Sequence, residues 1–215
     1  MKKILLGLAA LLFLSANALA GVNIGVSGAF TALETDGTET TKSSSEKNNG
    51  SKDENVVVPS LFIEFQAGDG GIALGVDYVP GEAELGSGTG SDDDAETSGA
   101  NKASAELSGH TTVYVLVPIK DAGLYFKGGM ASATVDTTET LATGTTYGNE
   151  DVNGVMVGLG FQSDRDNGMF LRAEVTHTDY EDVNLKGSLD ADSVRNTVDA
   201  SVDATALRIS FGKSF

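Results

Sequence analysis

Short segments in which every second residue is apolar recur along this chain, and they constrain its fold more than any other feature. Eight such segments cover residues 22–33, 56–67, 71–79, 109–119, 123–135, 152–162, 169–178 and 202–215. The length of each segment is close to that of a tilted strand that crosses a bilayer, which needs about 9–11 residues. The alternation predicts an all-β chain whose strands have one apolar face and one small or polar face.

The connections between these segments alternate between long and short. Residues 34–55, 81–108, 136–151 and 179–200 form long polar connections, whereas "GDG", "KDA" and "SDRDN" join the other pairs. This alternation places the long connections at one end of an antiparallel sheet and the tight turns at the other, as in outer-membrane barrels. We therefore predict an eight-stranded antiparallel up-and-down transmembrane β-barrel, with periplasmic termini and extracellular loops.

Residues 1–20 predict a cleaved secretory signal peptide. Lys2 and Lys3 precede an apolar run at 4–14 that is too short for a spanning helix, and Ala18 and Ala20 provide a small-residue cleavage site. An uncleaved membrane anchor is the alternative, which the short run disfavours. We expect residues 21–215 to form one outer-membrane β-barrel domain.

The charge balance excludes one class of partner. Removing Lys2 and Lys3 takes the formal net charge from −17 to −19. A chain this acidic repels nucleic acid, so we expect no nucleic-acid binding. The absence of cysteine excludes a disulfide framework.

The face opposite the apolar one is rich in glycine and other small residues, for example Gly154, Gly158 and Gly160. Small residues suit the crowded inside of a narrow barrel, because about eight strands leave room only for side chains. Three acids and three bases share this inner face near the strand centres, and enclosed charges are costly unless paired. We predict a lumen charge network of Glu64, Asp77, Lys127, Arg172, Glu174 and Arg208.

The end of the chain, "ATALRISFGKSF", resembles the C-terminal signature of bacterial outer-membrane proteins. Leu207, Ile209, Phe211 and Phe215 share one face of the last segment. Lys213 departs from that signature, where an aromatic or apolar residue is usual, but a lysine near the interface can snorkel. The resemblance implies that the barrel-assembly machinery reads this strand.

The whole predicted mature chain resembles the small porin-like barrels of the OmpA transmembrane-domain or OmpX type. Barrels of the first type carry an internal Glu, Lys, Glu, Arg network that plugs the lumen. Glu64, Lys127, Glu174 and Arg208 look similar in type and position, with Arg172 as an added base. The resemblance implies a plugged barrel in contact with outer-membrane lipids.

Catalytic and metal-binding signals are weak. His110 and His177 have no second ligand at a metal-binding spacing, and His177 does not match the local pattern of a Ser-His-Glu lipid A deacylase. The acidic stretch 91–97 lacks the spacing of a defined calcium loop. We expect no enzymatic activity, no cofactor and no metal site.

The sequence thus favours a monomeric outer-membrane protein with a structural or surface-contact role, in which the acidic loops are the candidate site for an extracellular ligand. The alternative is a narrow gated channel for ions or small solutes, opened by re-pairing Lys127 or Arg208. A third hypothesis is a soluble lipocalin-type barrel, which has its apolar residues inside rather than outside.

Overall fold

The computed structural model describes residues 19–40, 47–67, 71–92, 99–119, 123–142, 144–188 and 196–215. Residues 1–18 of the predicted signal peptide lie outside this part of the chain, as do the turn residues 68–70 and 120–122. Among the described residues, no helix is both long and apolar enough to cross a membrane.

Ten strands make up the described structure. Their bounds are β1 Leu19–Thr40, β2 Lys47–Ala67, β3 Ile72–Tyr78, β4 Ala83–Asp92, β5 Gly99–Pro118, β6 Leu124–Thr140, β7 Glu150–Asp164, β8 Met169–Tyr180, β9 Val183–Lys186 and β10 Thr197–Ser214.

The strands form one closed antiparallel ring. Hydrogen-bonded neighbours follow the order β1, β2, β3, β5, β6, β7, β8 and β10, and β10 pairs with β1. β4 continues the position of β3 beside β5, and β9 continues that of β8 beside β10. The ring therefore has eight positions, which confirms the predicted eight-stranded up-and-down barrel.

Closure between β1 and β10 is continuous. Their register runs without a shift from Asn23 opposite Ser214 to Thr40 opposite Thr197. Val22 and Phe215 extend it with two backbone hydrogen bonds of 3.2 and 2.9 Å. A closed ring leaves no free sheet edge at this seam, as a strand protein in lipid requires.

The two ends of the barrel differ as the connections predict. At the turn end, β7 and β8 are joined by four residues, where Gly168 adopts a φ of +79° and its N–H donates to Arg165 at 2.9 Å. This left-handed conformation favours glycine over other residues. At the opposite end, which we call the hairpin end, most strands continue well beyond the predicted segments.

The predicted strand bounds were wrong at the hairpin end. Residues 34–40 and 47–55 were expected in a loop, but they continue β1 and β2 as a paired hairpin. Most of the other long connections are also strand, including β4, β9 and the first half of β5. Threonine, which favours the extended conformation, is frequent in residues 34–40 and 136–140. Each of the added strand stretches also finds a hydrogen-bonded neighbour.

The apolar face of the strands points outward and is exposed. Large outward residues are Ile24, Val26, Phe30, Leu61, Ile63, Val115, Val117, Phe126, Met130, Val155, Val157, Leu159, Phe161, Leu171, Val175, Leu207, Ile209 and Phe211. Val113 was assigned to the same face but is buried, between Val76 and Met130 of the neighbouring strands. An exposed apolar belt of this extent is typical of a surface that contacts lipid.

Leu159 lies within this belt on β7 and provides a test of it. We expect Leu159→Arg to destabilise the barrel in lipid vesicles by about 2–4 kcal/mol, because arginine at the bilayer midplane is costly. Glu150→Arg, on the same strand at the hairpin end, is the matched control and should change stability little. Equilibrium unfolding in urea measures both, and equal stabilities of the two variants would contradict the lipid-facing assignment.

Candidate functional site

The inside of the barrel is filled around Glu64, which is 0% exposed. Arg172 on β8 binds this carboxylate with both terminal nitrogens, at 2.5 and 2.7 Å. The Tyr114 hydroxyl donates to the same carboxylate at 2.7 Å, and the Asn23 amide donates at 3.1 Å. Four donated hydrogen bonds satisfy both carboxylate oxygens, which allows the charge to be enclosed.

Aromatic rings surround the Arg172 guanidinium. Its central carbon lies 4.6 Å from the ring centre of Phe170, 5.4 Å from that of Phe62 and 5.6 Å from that of Tyr125. Cations are attracted to the faces of aromatic rings. The arginine and these rings therefore close the lumen on the side nearer the turn end.

Lys127 and Glu174 form a second buried pair. The Lys127 ammonium donates to Glu174 Oε1 at 3.0 Å and lies 4.1 Å from the ring centre of Tyr114. Both side chains are almost fully buried. Tyr114 thus contacts both this pair and the Glu64–Arg172 pair.

Arg208 and Asp77 form the third pair, closer to the hairpin end. Arg208 Nη1 donates to Asp77 Oδ2 at 2.6 Å. The hydroxyl of Ser60 donates to the same oxygen at 2.9 Å, and the hydroxyls of Ser27 and Ser60 are themselves hydrogen bonded at 2.5 Å. The six predicted lumen residues are therefore brought together as three ion pairs, which we call the lumen plug.

Strand parity and glycines make the plug possible. The six residues come from β2, β3, β6, β8 and β10 and all lie on the inner parity. A Cβ at Gly75 would lie 2.5 Å from Tyr114 Cζ, and one at Gly160 would collide with the Tyr125 ring. The inner glycines thus provide the space that the enclosed rings occupy.

The partners Asn23, Ser27, Ser60 and Tyr114 were missing from the predicted network. The signal that could have found Tyr114 was parity, since it alternates with Val113 and Val115, which share the opposite parity. Which acid meets which base was not predictable from parity alone, because pairing depends on stagger between distant strands.

The four C-terminal residues predicted as an assembly signal all point outward. Leu207, Ile209, Phe211 and Phe215 are exposed, and Lys213 Nζ lies 5.1 Å from the ring centre of Phe215. Their recognition by assembly machinery stays a prediction.

His177 lies on the exposed outer face of β8. His177 Nδ1 is 3.0 Å from the Thr205 hydroxyl, and Nε2 is 3.8 Å from Asp203 Oδ1. That second distance is too long for a hydrogen bond, so Asp203 does not orient the imidazole as the acid of a catalytic triad does.

No group of three or more acidic or histidine side chains suited to a metal ion occurs among the described residues. The acidic stretch 91–97 that was considered for calcium has no described side chains.

Between the plug and the hairpin end the lumen becomes apolar. Leu33, Leu85, Leu107, Val135, Val152, Tyr180 and Val202 belong to one buried cluster here. This half differs from the charged centre, although the same strands build both. The apolar cluster therefore lies between the hairpin end and the charged plug.

A cavity of about 100 Å³, which we call the side chamber, lies next to the plug. Asp77, Lys127 and Arg208 form its floor, while Leu33, Leu107 and Tyr180 line it towards the hairpin end. A separate cavity at the turn end reaches Asn23, Tyr125 and Arg172, and the two share no lining residue. The plug therefore separates them.

The side chamber also reaches the outer surface of the barrel. Its lining includes Val57, which is 77% exposed, together with Pro59, Gly81 and Glu82. In the described structure the ladder between β2 and β3 ends at Leu61 opposite Tyr78, and β4 pairs with β5 rather than with β2. We call this gap, between residues 56–59 and 79–83, the side opening.

Two of the three prolines of the chain border the side opening. Pro59 lies in β2, and Pro80 follows the end of β3. Proline cannot donate to a ladder, so it is confined to strand edges or ends. The prolines account for the end of pairing at this place, on both sides of the gap.

A closed ring of antiparallel strands, an exposed apolar belt and an enclosed ionic core define a membrane-spanning β-barrel of the bacterial outer-membrane class. The family model described as "Outer membrane protein beta-barrel domain" matches residues 6–215. The chain therefore belongs to the outer-membrane β-barrel domain family, which supports a location in the bacterial outer membrane. No curated protein matches the sequence.

Solved structures agree on the fold. The outer membrane protein OprG from Pseudomonas aeruginosa is 14% identical, with a TM-score of 0.62 over 92% of this chain and 97% of that one. The outer membrane protein AlkL in lipid bilayers is 13% identical, with a TM-score of 0.51 over 94% of this chain and 93% of AlkL. The outer membrane protease OmpT from Escherichia coli is 10% identical, with a TM-score of 0.53 over 91% of this chain and 97% of OmpT. At these identities the likeness concerns the fold alone.

Breaking one buried pair tests the energetic role of the plug. We expect Arg172→Met to destabilise the barrel by about 3–5 kcal/mol, because Glu64 is left charged, buried and without its cation. The double variant Glu64→Gln with Arg172→Met is the control and should recover most of that stability. Urea unfolding in vesicles measures both; a double variant no more stable than the single one would contradict this role.

Proposed function

We propose that this outer-membrane barrel is a non-enzymatic passage that moves small apolar molecules sideways into the membrane. The observation that carries the proposal is the side chamber, which is closed below by the lumen plug and reaches the outer surface through the side opening. A molecule entering from the hairpin end would leave through the wall rather than through the turn end.

The chemistry of the lining supports an apolar cargo. The route passes the buried cluster that includes Leu85 and enters the chamber beside Leu33 and Leu107. Ions lose hydration energy in such surroundings, whereas apolar molecules gain from leaving water. The side opening leads to the outer surface near Val57 and Tyr78, which are themselves apolar or aromatic and exposed.

The gated ion channel, which was the alternative from the sequence, is less well supported than the side passage. Ions crossing the full lumen would have to separate three buried ion pairs. Tyr114 contacts two of these pairs, and Ser27 and Ser60 hold the third. Separating buried charges costs several kcal/mol per ion. The gated channel therefore ranks below the sideways route.

Orientation and partners complete the proposal. The turn end and both termini face the periplasm, the hairpin end faces the outside, and outer-membrane lipids surround the belt. The C-terminal strand with Leu207, Ile209, Phe211 and Phe215 is the part that the assembly machinery reads. The protein works as a monomer, because the passage needs a single closed ring.

A surface-contact role is the second candidate. It is favoured by the length of the β1–β2 hairpin, which stays paired as far as Thr40 opposite Lys47 and so projects well beyond the apolar belt. This hairpin carries several acids, including Asp36 and Asp53, which suit a cationic ligand outside the cell.

Uptake into vesicles tests the passage. The probe is a small uncharged naphthalene dye that fluoresces in hydrocarbon, added to vesicles whose outer leaflet is lipopolysaccharide. We expect the protein to accelerate dye entry and Gly81→Trp to return the rate towards that of protein-free vesicles. A Cβ at Gly81 has no other atom within 4 Å, so a side chain can be attached at this border of the side opening without a backbone clash.

Gly28→Trp is the matched control, because a Cβ at Gly28 also meets open space but lies on the exposed outer face of β1. It should leave the dye rate unchanged. Equal rates for the two tryptophan variants would exclude the side opening as the route. Large, stable conductance steps in planar bilayers would favour the ion channel instead.

A further inference from the structure

The side chamber carries three buried polar atoms that have no hydrogen-bond partner within the described residues. They are Asp77 Oδ1, His110 Nδ1 and Arg208 Nε, and each belongs to a residue that lines the chamber. Buried polar atoms are normally hydrogen bonded, and leaving them without a partner is costly. We call these three unpartnered polar atoms the reserve atoms. A largely apolar chamber that contains them suits a ligand with one polar group.

The three residues are neighbours. Asp77 lies opposite Thr112 in the β3–β5 ladder, and His110 precedes Thr112 by two residues. The His110 carbonyl accepts the N–H of Val79 at 3.0 Å, next to the end of β3. Arg208 touches Asp77 through other atoms at 2.6 Å. The reserve atoms therefore gather at one place on the chamber wall, close to the side opening.

A bulge in β5 delivers the histidine to this place. Gly109 has a φ of +61°, and the β5–β6 register shifts between Ser108 and Thr111. The His110 ring lies edge-on to Tyr180, with ring centres 6.2 Å apart. The bulge re-aims one side chain without ending the strand, as bulges beside binding sites do.

The charges at the chamber floor decide which polar group fits. Arg208 is paired with Asp77, and Lys127 is paired with Glu174, so the floor has no excess charge. A ligand carboxylate would meet the Asp77 carboxylate, and a ligand ammonium would meet Arg208 and Lys127. A hydroxyl suits both reserve atoms of the pair, because it donates to Asp77 Oδ1 and accepts from Arg208 Nε.

We propose that the side chamber binds small apolar molecules that carry one uncharged hydroxyl, held by Asp77, His110 and Arg208. The proposal rests on the proposed side passage and names its preferred cargo. The cavity of about 100 Å³ is of the order of the about 150 Å³ apolar cavity that holds benzene. The hydroxyl lies at the chamber floor and the hydrocarbon part points towards the hairpin end or the side opening.

The experiment compares 1-hexanol with n-hexane, which share a chain length, on the full-length barrel in lipid nanodiscs. Threonine-methyl NMR signals report binding: Thr112, Thr176 and Thr178 line the chamber, whereas Thr205 faces outward and reports changes in the lipid. We expect 1-hexanol to bind about tenfold more tightly than hexane, the worth of roughly one net hydrogen bond. Hexanoate and hexylammonium should bind more weakly than the alcohol.

Two variants each remove one reserve atom without removing charge from the floor. His110→Phe keeps a ring against Tyr180, and Arg208→Lys keeps a cation beside Asp77 but lacks Nε. Each should remove most of the preference for hexanol. His177→Phe is the matched control, because it changes the other histidine, on the exposed outer surface, and should keep the preference.

The outcomes separate this proposal from the side passage. A hexanol preference that both variants lose and His177→Phe keeps supports the hydroxyl site. Equal binding of hexanol and hexane overturns it while leaving the passage intact. If neither compound shifts the methyl signals of the chamber threonines, the hydroxyl site is wrong. The side passage is then tested independently by comparing the dye rates of Gly81→Trp and Gly28→Trp.

Discussion

The barrel depends on backbone hydrogen bonding that closes on itself. In hydrocarbon, unpaired N–H and C=O groups cost several kcal/mol each, so a strand protein must close its ring. The unbroken β1–β10 ladder meets that requirement. The β2–β3 ladder does not meet it beyond Leu61 and Tyr78, where pairing ends beside two prolines. A costly exception within a closed wall is best explained by a function at that place.

The second constraint is the enclosure of charge. Six ionisable side chains share a narrow lumen, and each acid is held by a base. Tyr114 contacts two of the pairs, and Ser27 and Ser60 hold the third. Together the pairs close the lumen between its two ends, so in the proposed passage a molecule from the hairpin end leaves through the wall. The proposed passage therefore needs both the plug and the side opening.

Much of the fold was predictable from sequence, because a period of two assigns every residue to a face. Outward Leu159 and inward Glu64 follow from parity, and the eight ring positions follow from the segments. The hairpin extensions were not predictable from apolar alternation, since threonine-rich stretches such as residues 34–40 are polar on both faces. The ion pairing and the side opening depend on register between strands, although Pro59 and Pro80 marked the opening in the sequence.

The claim that the chamber opens sideways to lipid can be measured directly in nanodiscs that contain a nitroxide-labelled lipid tail. Val79 and Val152 are both buried valines of the inner face, but only Val79 lines the side opening. Val157 faces outward. We predict that the nitroxide broadens the methyl signals of Val157 and Val79 and leaves those of Val152 sharp. Val79 signals as sharp as those of Val152 would contradict the account.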